Sequence, residues 1–253
     1  MIQSVDRAVR VLTALQSARR MTLSELAARL ELPPSTVHGI VRTLVKHGLV
    51  AQERRSGRYQ LGPAVLLLGN VYLDTLELRA RAIPWAEDLA SRTGAAVRTA
   101  VLLGDDVVVI HHQPRADGSR QMAEVGIVIP AHASAWGKAI LAYDDDSLER
   151  VLRGPALRSM TGETLSDVVD LRAQLAEVRD AGLAVERDEA VLGESAVAAP
   201  IFDATSNAVG AIGVVGPTRS RPFPATTRNR VRAAARAISR ELGAAAWPPA
   251  ADP

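Results

Sequence analysis

Apolar residues in the first sixty positions recur at helical spacing and then switch to alternation. Over Asp6 to Ser17, with Val5, Val9, Leu12 and Leu15 three or four apart, the pattern predicts an amphipathic helix that buries those four. In TLSEL, Thr22 precedes Glu25 by three residues, a capping box opening a second helix that buries Leu23, Leu26, Ala27 and Leu30. A short connection, Glu31 to Pro34, leads into a third helix over Ser35 to His47. Prolines suit its start, where first-turn N–H groups lack helical partners, and Gly48 suits its end. On a wheel, Val37, Ile40, Val41, Leu44 and Val45 make one apolar face. Ser35, Gly39, Arg42 and Lys46 stack on the opposite side, flanked by His38 and Thr43, with Thr36 at the margin. Beyond Gly48 the period becomes two: LVAQER and RYQLG flank Arg55-Ser56-Gly57, a two-stranded hairpin.

Helix-forming sequence then runs from Pro63 to Thr93, read as a connecting helix from Pro63 to about Arg81, a break at Pro84 and a helix to Ser91. Strand patterns follow. AAVRTAVLLG and DVVVIHHQ flank the turn Gly104-Asp105-Asp106, and GIVIPA is a short strand. Helices are expected at Ala135–Tyr143, Asp146–Arg153 and Val168–Ala181, then a strand at LAVERDE. SAVAAPIFD and AVGAIGVVGP form another hairpin around Ala204 to Asn207, and a last helix covers Thr226 to Ala246. Helices grouped around an antiparallel sheet predict an α+β body. The expected divisions are a head (1–62), a linker helix (63–82), a body (83–247) and a tail without ordered structure (248–253).

Composition narrows the classes. With no cysteine, the 253 residues exclude disulfides, thiolate zinc sites and thiol catalysis. No apolar run approaches the roughly 20 residues that span a bilayer, and MIQSVDRAVRVL lacks signal-peptide architecture. A cytoplasmic protein is expected. The net charge of +2 hides an asymmetry: residues 1–62 hold ten Lys/Arg against four acids, whereas the rest holds 20 against 24. A basic head on an acidic body points to a polyanion partner for the head.

Three helices and a basic hairpin match a winged helix-turn-helix, whose second paired helix enters the major groove while the wing follows the backbone. Ser35, Arg42 and Lys46 make the groove-facing row, and the helix N-terminus with Ser35 or Thr36 can hold a phosphate. Arg54, Arg55 and Arg58 on the wing would add phosphate contacts. Gly39 costs about 1 kcal/mol relative to Ala in mid-helix. It either lets the backbone approach base edges or packs against a neighbouring element. His38 and Thr43 are candidate contacts at the row's edges.

SVDRAVRVL, MTLSELAARLELPPSTVHGIVRTLVKHGLV and RYQLGPAVLLLG, in that order and spacing, resemble the IclR family of bacterial transcriptional regulators. The likeness continues through PAHASAWGKAILAY, ERDEAVLGESAVAAPIFD and AIGVVGP, nearly the whole chain. It implies a GAF-like effector domain behind the head. Members usually carry a basic residue where Gly39 stands, so a different operator is implied. By the same resemblance a small-molecule pocket forms around Ser134, Ala135 and Trp136, with walls from Glu186, Ala196, Gly213 and Val215. Members that bind small oxo-acids present Cys or Ser at the last three positions. Ala, Gly and Val there, with bulky Trp136 expected at the mouth, imply an organic acid or a less polar aromatic or aliphatic metabolite; the alternative is a pocket plugged by Trp136. Glu186 would repel a carboxylate and is therefore expected to accept a hydrogen bond from a hydroxyl or amine, and Lys138 is expected to be a solvated helix residue.

Catalytic readings find less. Gly193-Glu194-Ser195 lacks the second glycine of a nucleophile elbow, and Gly137-Lys138 lacks phosphate-loop spacing. His111 and His112 adjoin on a strand and face opposite sides, leaving only a combination with His132 as a zinc candidate. Asp144-Asp145-Asp146 reads as a helix cap. No catalytic residue, metal or cofactor is assigned. The expected protein is a homodimer or dimer of dimers on a pseudo-palindromic double-stranded DNA operator, with no membrane partner. Repression is the expected mode, and the alternatives are an effector-independent DNA-binding structural protein or an enzyme on the GAF-like fold.

Overall fold

Thr22 opens its helix as the capping box predicts: its hydroxyl accepts the Glu25 N–H at 3.2 Å, and the Glu25 carboxylate accepts the Thr22 N–H at 2.7 Å. The computed structural model describes residues 2–115, 117, 121–154, 156–218 and 223–249. The chain divides into two compact units, Met1–Thr75 and Leu76–Pro253.

The first unit contains α1 (Gln3–Ala18), α2 (Leu23–Leu30), α3 (Pro34–Lys46), the strands β1 (Val50–Gln52) and β2 (Tyr59–Leu61), and α4 (Ala64–Thr75). Its core gathers Val11 and Leu15 of α1, Leu26 and Leu30 of α2, Val37, Val41 and Leu44 of α3, and Val50 and Tyr59 of the hairpin. The expected burial of Val5 and Val9 is corrected: they are 57% and 55% exposed. Only the C-terminal half of α1 is buried, through Val11, Ala14 and Leu15. The hairpin pairs Val50 with Leu61 and Gln52 with Tyr59, and Tyr59 also bridges to Met21 ahead of α2. Gly62 follows where backbone approaches backbone; a Cβ there would lie 2.1 Å from the Gly48 carbonyl oxygen. Helix α4 buries none of its residues.

The single helix expected from Pro63 to Arg81 is also corrected. It is interrupted at Leu76, whose backbone is extended, and α5 (Glu77–Thr93) runs through Pro84 without ending. Leu78, Ala82, Ala86, Leu89 and Ala90 are buried on both sides of that proline, and this stripe holds the helix despite a missing hydrogen bond. Next come β3 (Ala96–Leu103), β4 (Asp106–Gln113) and β5 (Val128–Pro130), then α6 (Ala135–Leu141), α7 (Asp145–Leu152) and α8 (Val168–Ala181). The unit closes with β6 (Ala184–Arg187), β7 (Glu194–Phe202), β8 (Ala208–Pro217) and α9 (Ala225–Glu241). The last helix stops five residues before the expected Ala246, ahead of Gly243 at φ +90°. Of the expected tail, residues 250–253 lie outside the described residues.

The six strands form one antiparallel sheet in the order β5-β4-β3-β8-β7-β6. Helix α6 packs on one face, and α5 and α9 pack against strands of the same sheet. The α6 face is built from small residues, Ala96, Ala100, Ala196, Ala198 and Ala211, beneath Trp136 and Ile140. The body is α+β. No helix among the described residues is long and apolar enough to cross a membrane.

Candidate functional site

On the head, Ser35, His38, Gly39, Arg42, Thr43 and Lys46 are exposed along α3, and Thr36 is half-buried. The Thr36 amide donates to the Pro33 carbonyl at 3.0 Å, so of the two residues expected to hold a phosphate Ser35 is the more open. The Thr43 hydroxyl donates to the Gly39 carbonyl at 3.0 Å, folding that side chain back on its helix. A Cβ at Gly39 would meet no atom of another element within 4 Å among the described residues, so nothing there packs against this glycine. Arg42 and Lys46 make no ion pair among the described residues, nor do the exposed wing residues Arg54 and Arg55. Arg58 differs: its guanidinium sits 3.1 Å from Glu25, the α2 capping residue. Arg42, Lys46, Arg54 and Arg55 are thus cations without a carboxylate partner among the described residues, the kind of group that can exchange counterions for phosphates.

Register places the body's candidates. Ala96 pairs with Val215, Val215 with Ala196, and Ala196 with Glu186. The next row is His112, Arg98, Gly213, Ala198 and Ala184. Paired residues on neighbouring strands share a face, so Glu186, Ala196, Gly213 and Val215 lie together, and α6 carries Ser134, Ala135 and Trp136 over them. A cavity of about 60 Å³ beside Val185, Ser195 and Val197 is lined by the alternate residues of β6 and β7 and is a different place.

Two expectations about this site, on Trp136 and on Lys138, are corrected. Trp136 is not at a mouth: it is 1% exposed, and its indole N–H donates to the Arg98 carbonyl at 2.9 Å. Glu186 accepts the amides of Glu189 at 2.9 Å and Ala190 at 3.2 Å, both on Oε1. Burial pushes its pKa up to about 7, with those amides pulling the other way. Lys138 is fully buried rather than solvated, and its ammonium donates to both Glu189 oxygens at 2.5 and 2.6 Å. Burial draws the Lys138 pKa below its ordinary value, and the Glu189 charge opposes this. Ser134 caps α6, its hydroxyl accepting the Gly137 N–H at 3.0 Å.

Sequence reasoning passed over Arg98. It is 7% exposed, its guanidinium carbon lies 5.4 Å from the Trp136 ring centre, and it pairs with Glu124 at 2.5 Å and Glu194 at 3.5 Å. Burial alone would raise the Glu124 pKa; the Arg98 hydrogen bond and charge outweigh it and hold that carboxyl below its usual range. The available signal was the alternation Ala96-Arg98-Ala100, a guanidinium on the small-residue face of an apolar strand. His111 and His112 do face opposite sides, and His132 Nε2 lies 3.1 Å from the Arg158 carbonyl. No group of three or more potential ligands among the described residues could hold a metal.

Known proteins share both halves. The IclR helix-turn-helix domain matches residues 4–54, and the C-terminal domain of the bacterial transcriptional regulator IclR matches residues 70–240. The glycerol operon regulatory protein of Streptomyces griseus is 44% identical over 96% of this chain and 97% of its own. A crystal structure of an IclR-type regulator from Alicyclobacillus acidocaldarius superposes with a TM-score of 0.82 at 30% identity, covering 98% of this chain and 100% of that one. An IclR homologue from Microbacterium hydrocarbonoxydans, crystallised with 4-hydroxybenzoate, gives 0.77 at 26% identity over 94% and 98%. The chain therefore belongs to the IclR family and is a DNA-binding transcriptional regulator with a C-terminal effector domain.

Proposed function

We propose that this chain is a cytoplasmic, non-enzymatic repressor that binds a pseudo-palindromic operator as a homodimer and is released by a small organic ligand on the α6 face of the sheet. The observation that carries the reading is the α3 row of Ser35, Gly39, Arg42 and Lys46, exposed and without carboxylate partners among the described residues, beside Arg54 and Arg55. The open backbone at Gly39 would allow α3 to approach base edges or a thymine methyl closely.

Pairing of two heads is supported by apolar surface that one chain leaves uncovered. Ile2 at the N-cap and Val5 and Val9 on α1 are exposed at helical spacing, and Leu66, Leu67, Leu68, Val71 and Tyr72 are exposed on α4. Contiguous exposed apolar surface marks protein–protein contact, and a dimer would present two recognition helices to half-sites one helical turn or a multiple apart. The likeness to a glycerol operon regulatory protein supports an operon of glycerol or related polyol use as the target. Ligand binding would act by differential affinity for conformations that bind the operator unequally.

The test is fluorescence anisotropy with DNA from upstream of the gene. The wild type should bind with an affinity that falls linearly in log–log coordinates with salt. Arg42→Ala should weaken operator binding by about 1–3 kcal/mol and relax sequence preference. Unchanged affinity would remove Arg42 from the interface.

A further inference from the structure

Arg98 is held by α6 on one side and by carboxylates of a coil and a strand on the other. Its carbonyl accepts the Trp136 indole N–H, and its guanidinium lies over that same ring, an arrangement that fixes both ends of the residue. Of its carboxylate partners, Glu194 belongs to β7 and sits 3.5 Å away, with its side chain 40% exposed. Glu124, the closer at 2.5 Å, comes from the coil ahead of β5 and belongs to no helix or strand. The same Glu124 oxygen is 3.4 Å from Nε2 of His112, Arg98's neighbour in the sheet row. That imidazole is only 3% exposed, and its Nε2 has no hydrogen-bond partner among the described residues.

We infer that Arg98 and His112 form an anion subsite, and that Glu124 occupies it as an intrachain substitute until a carboxylate or phosphate of the ligand takes its place. The inference rests on the reading of the α6 face as the effector site. A buried guanidinium cannot be left unpaired without a large desolvation penalty, so exchange of one anion for another is the rearrangement that burial permits. Arg favours carboxylate and phosphate through the same planar, forked geometry, and the unused His112 nitrogen offers an incoming anion a hydrogen bond that Glu124 does not complete. Displacement would also be transmitted. The Glu124 carbonyl accepts the Ile127 N–H at 3.0 Å, and the next link, Gly126 N–H to the Val109 carbonyl at 2.8 Å, ties this turn to β4. A ligand that evicts Glu124 therefore pulls on the β4–β5 edge.

Isothermal titration calorimetry on the full-length protein without DNA tests this with two matched pairs at millimolar concentration: benzyl alcohol with benzoate, and glycerol with glycerol phosphate. At least one anion should bind roughly tenfold more tightly than its neutral partner, the scale of one charge-assisted hydrogen bond; which pair responds separates carboxylate from phosphate. Glu124→Gln, which keeps Arg98 in place but weakens its competitor, should raise that anion's affinity several-fold. Arg98→Met should abolish the discrimination, and because that variant can also disturb the packing over Trp136, Glu124→Gln stands as the decisive arm. Equal binding of neutral and anionic partners overturns the subsite. So does an anion affinity unchanged in Glu124→Gln, or no binding by any compound to either protein. Operator anisotropy separates the two readings. Anion binding that leaves operator affinity unchanged keeps the subsite and sinks the effector role of this face; release by a neutral compound, with no anion bound, does the reverse.

Discussion

Arg42 and Lys46 stand exposed on α3 with no carboxylate partner among the described residues, whereas Arg98 and Lys138 lie buried with Glu124 and Glu189 each 2.5 Å away. The same two residue types thus appear in opposite roles. On the head these two cations keep their water, and on the proposed reading they would exchange counterions for phosphates, a favourable step driven by ion release. Inside the body these cations have already lost their water and depend on named anions, Glu189 for Lys138 and Glu124 with Glu194 for Arg98. An outer cation reports on a partner that arrives; an inner one reports on the fold, unless its anion can be exchanged.

The sharpest way to break the contrast is to remove an inner cation. Lys138→Met leaves Glu189 buried without its counter-charge and should cost about 3–5 kcal/mol of unfolding free energy in urea titrations. Replacing both, as Lys138→Met with Glu189→Met, should recover most of that loss, since a well-packed apolar pair can stand in for a buried ion pair. If the double variant is no more stable than the single one, Lys138 is doing something besides neutralising Glu189.

Glu186 gives the next largest effect, and it depends on pH. Burial raises its pKa from 4.5 to about 7. Below pH 4.5 both folded and unfolded states hold the proton, so nothing is lost. As pH climbs from there to 7, the unfolded chain releases its proton while the native state keeps it, and stability falls by about 3 kcal/mol in all. Glu186→Gln retains an oxygen for the Glu189 and Ala190 amides and cannot ionise. It should therefore be markedly more stable than wild type at pH 8 and close to it at pH 4. A gain of the same size at both values would show that Glu186 is not the titrating group.

The elements were legible where local chemistry decides them. The α2 capping box and the hairpin turning at Gly104 follow from residues within four positions of each other, and α8 lies where its pattern puts it. Pairings across the chain were not. Glu124 lies 26 residues from Arg98, and Glu189 lies 51 from Lys138, so no helical or strand period links either pair. Val5 and Val9 show a third kind of limit: their spacing announces an apolar face without saying whether this chain or another covers it. The effector candidates came from family likeness. Antiparallel register explains why Glu186, Ala196 and Val215 share one row, yet the sequence pattern held no sign that Trp136 would sit beneath a guanidinium.

The smallest effect separates two kinds of cation within the wing itself. Arg54 and Arg55 are exposed and make no ion pair among the described residues; Arg58, three residues on, spans to Glu25 at 3.1 Å. An exposed pair of this kind contributes little to stability, yet it bears on DNA binding, because a phosphate must compete with Glu25 for the same guanidinium. Arg54→Ala and Arg55→Ala should each reduce the slope of log affinity against log salt by about one, with little change in sequence preference. Arg58→Ala should reduce it by less, since part of that charge is already neutralised. Glu25→Gln should then raise affinity at low salt by freeing Arg58 while the Thr22 N–H keeps an acceptor. Equal slopes for all three arginine variants would mean that the Arg58–Glu25 pair opens without cost on DNA, and that the division between partnered and waiting cations stops at the body.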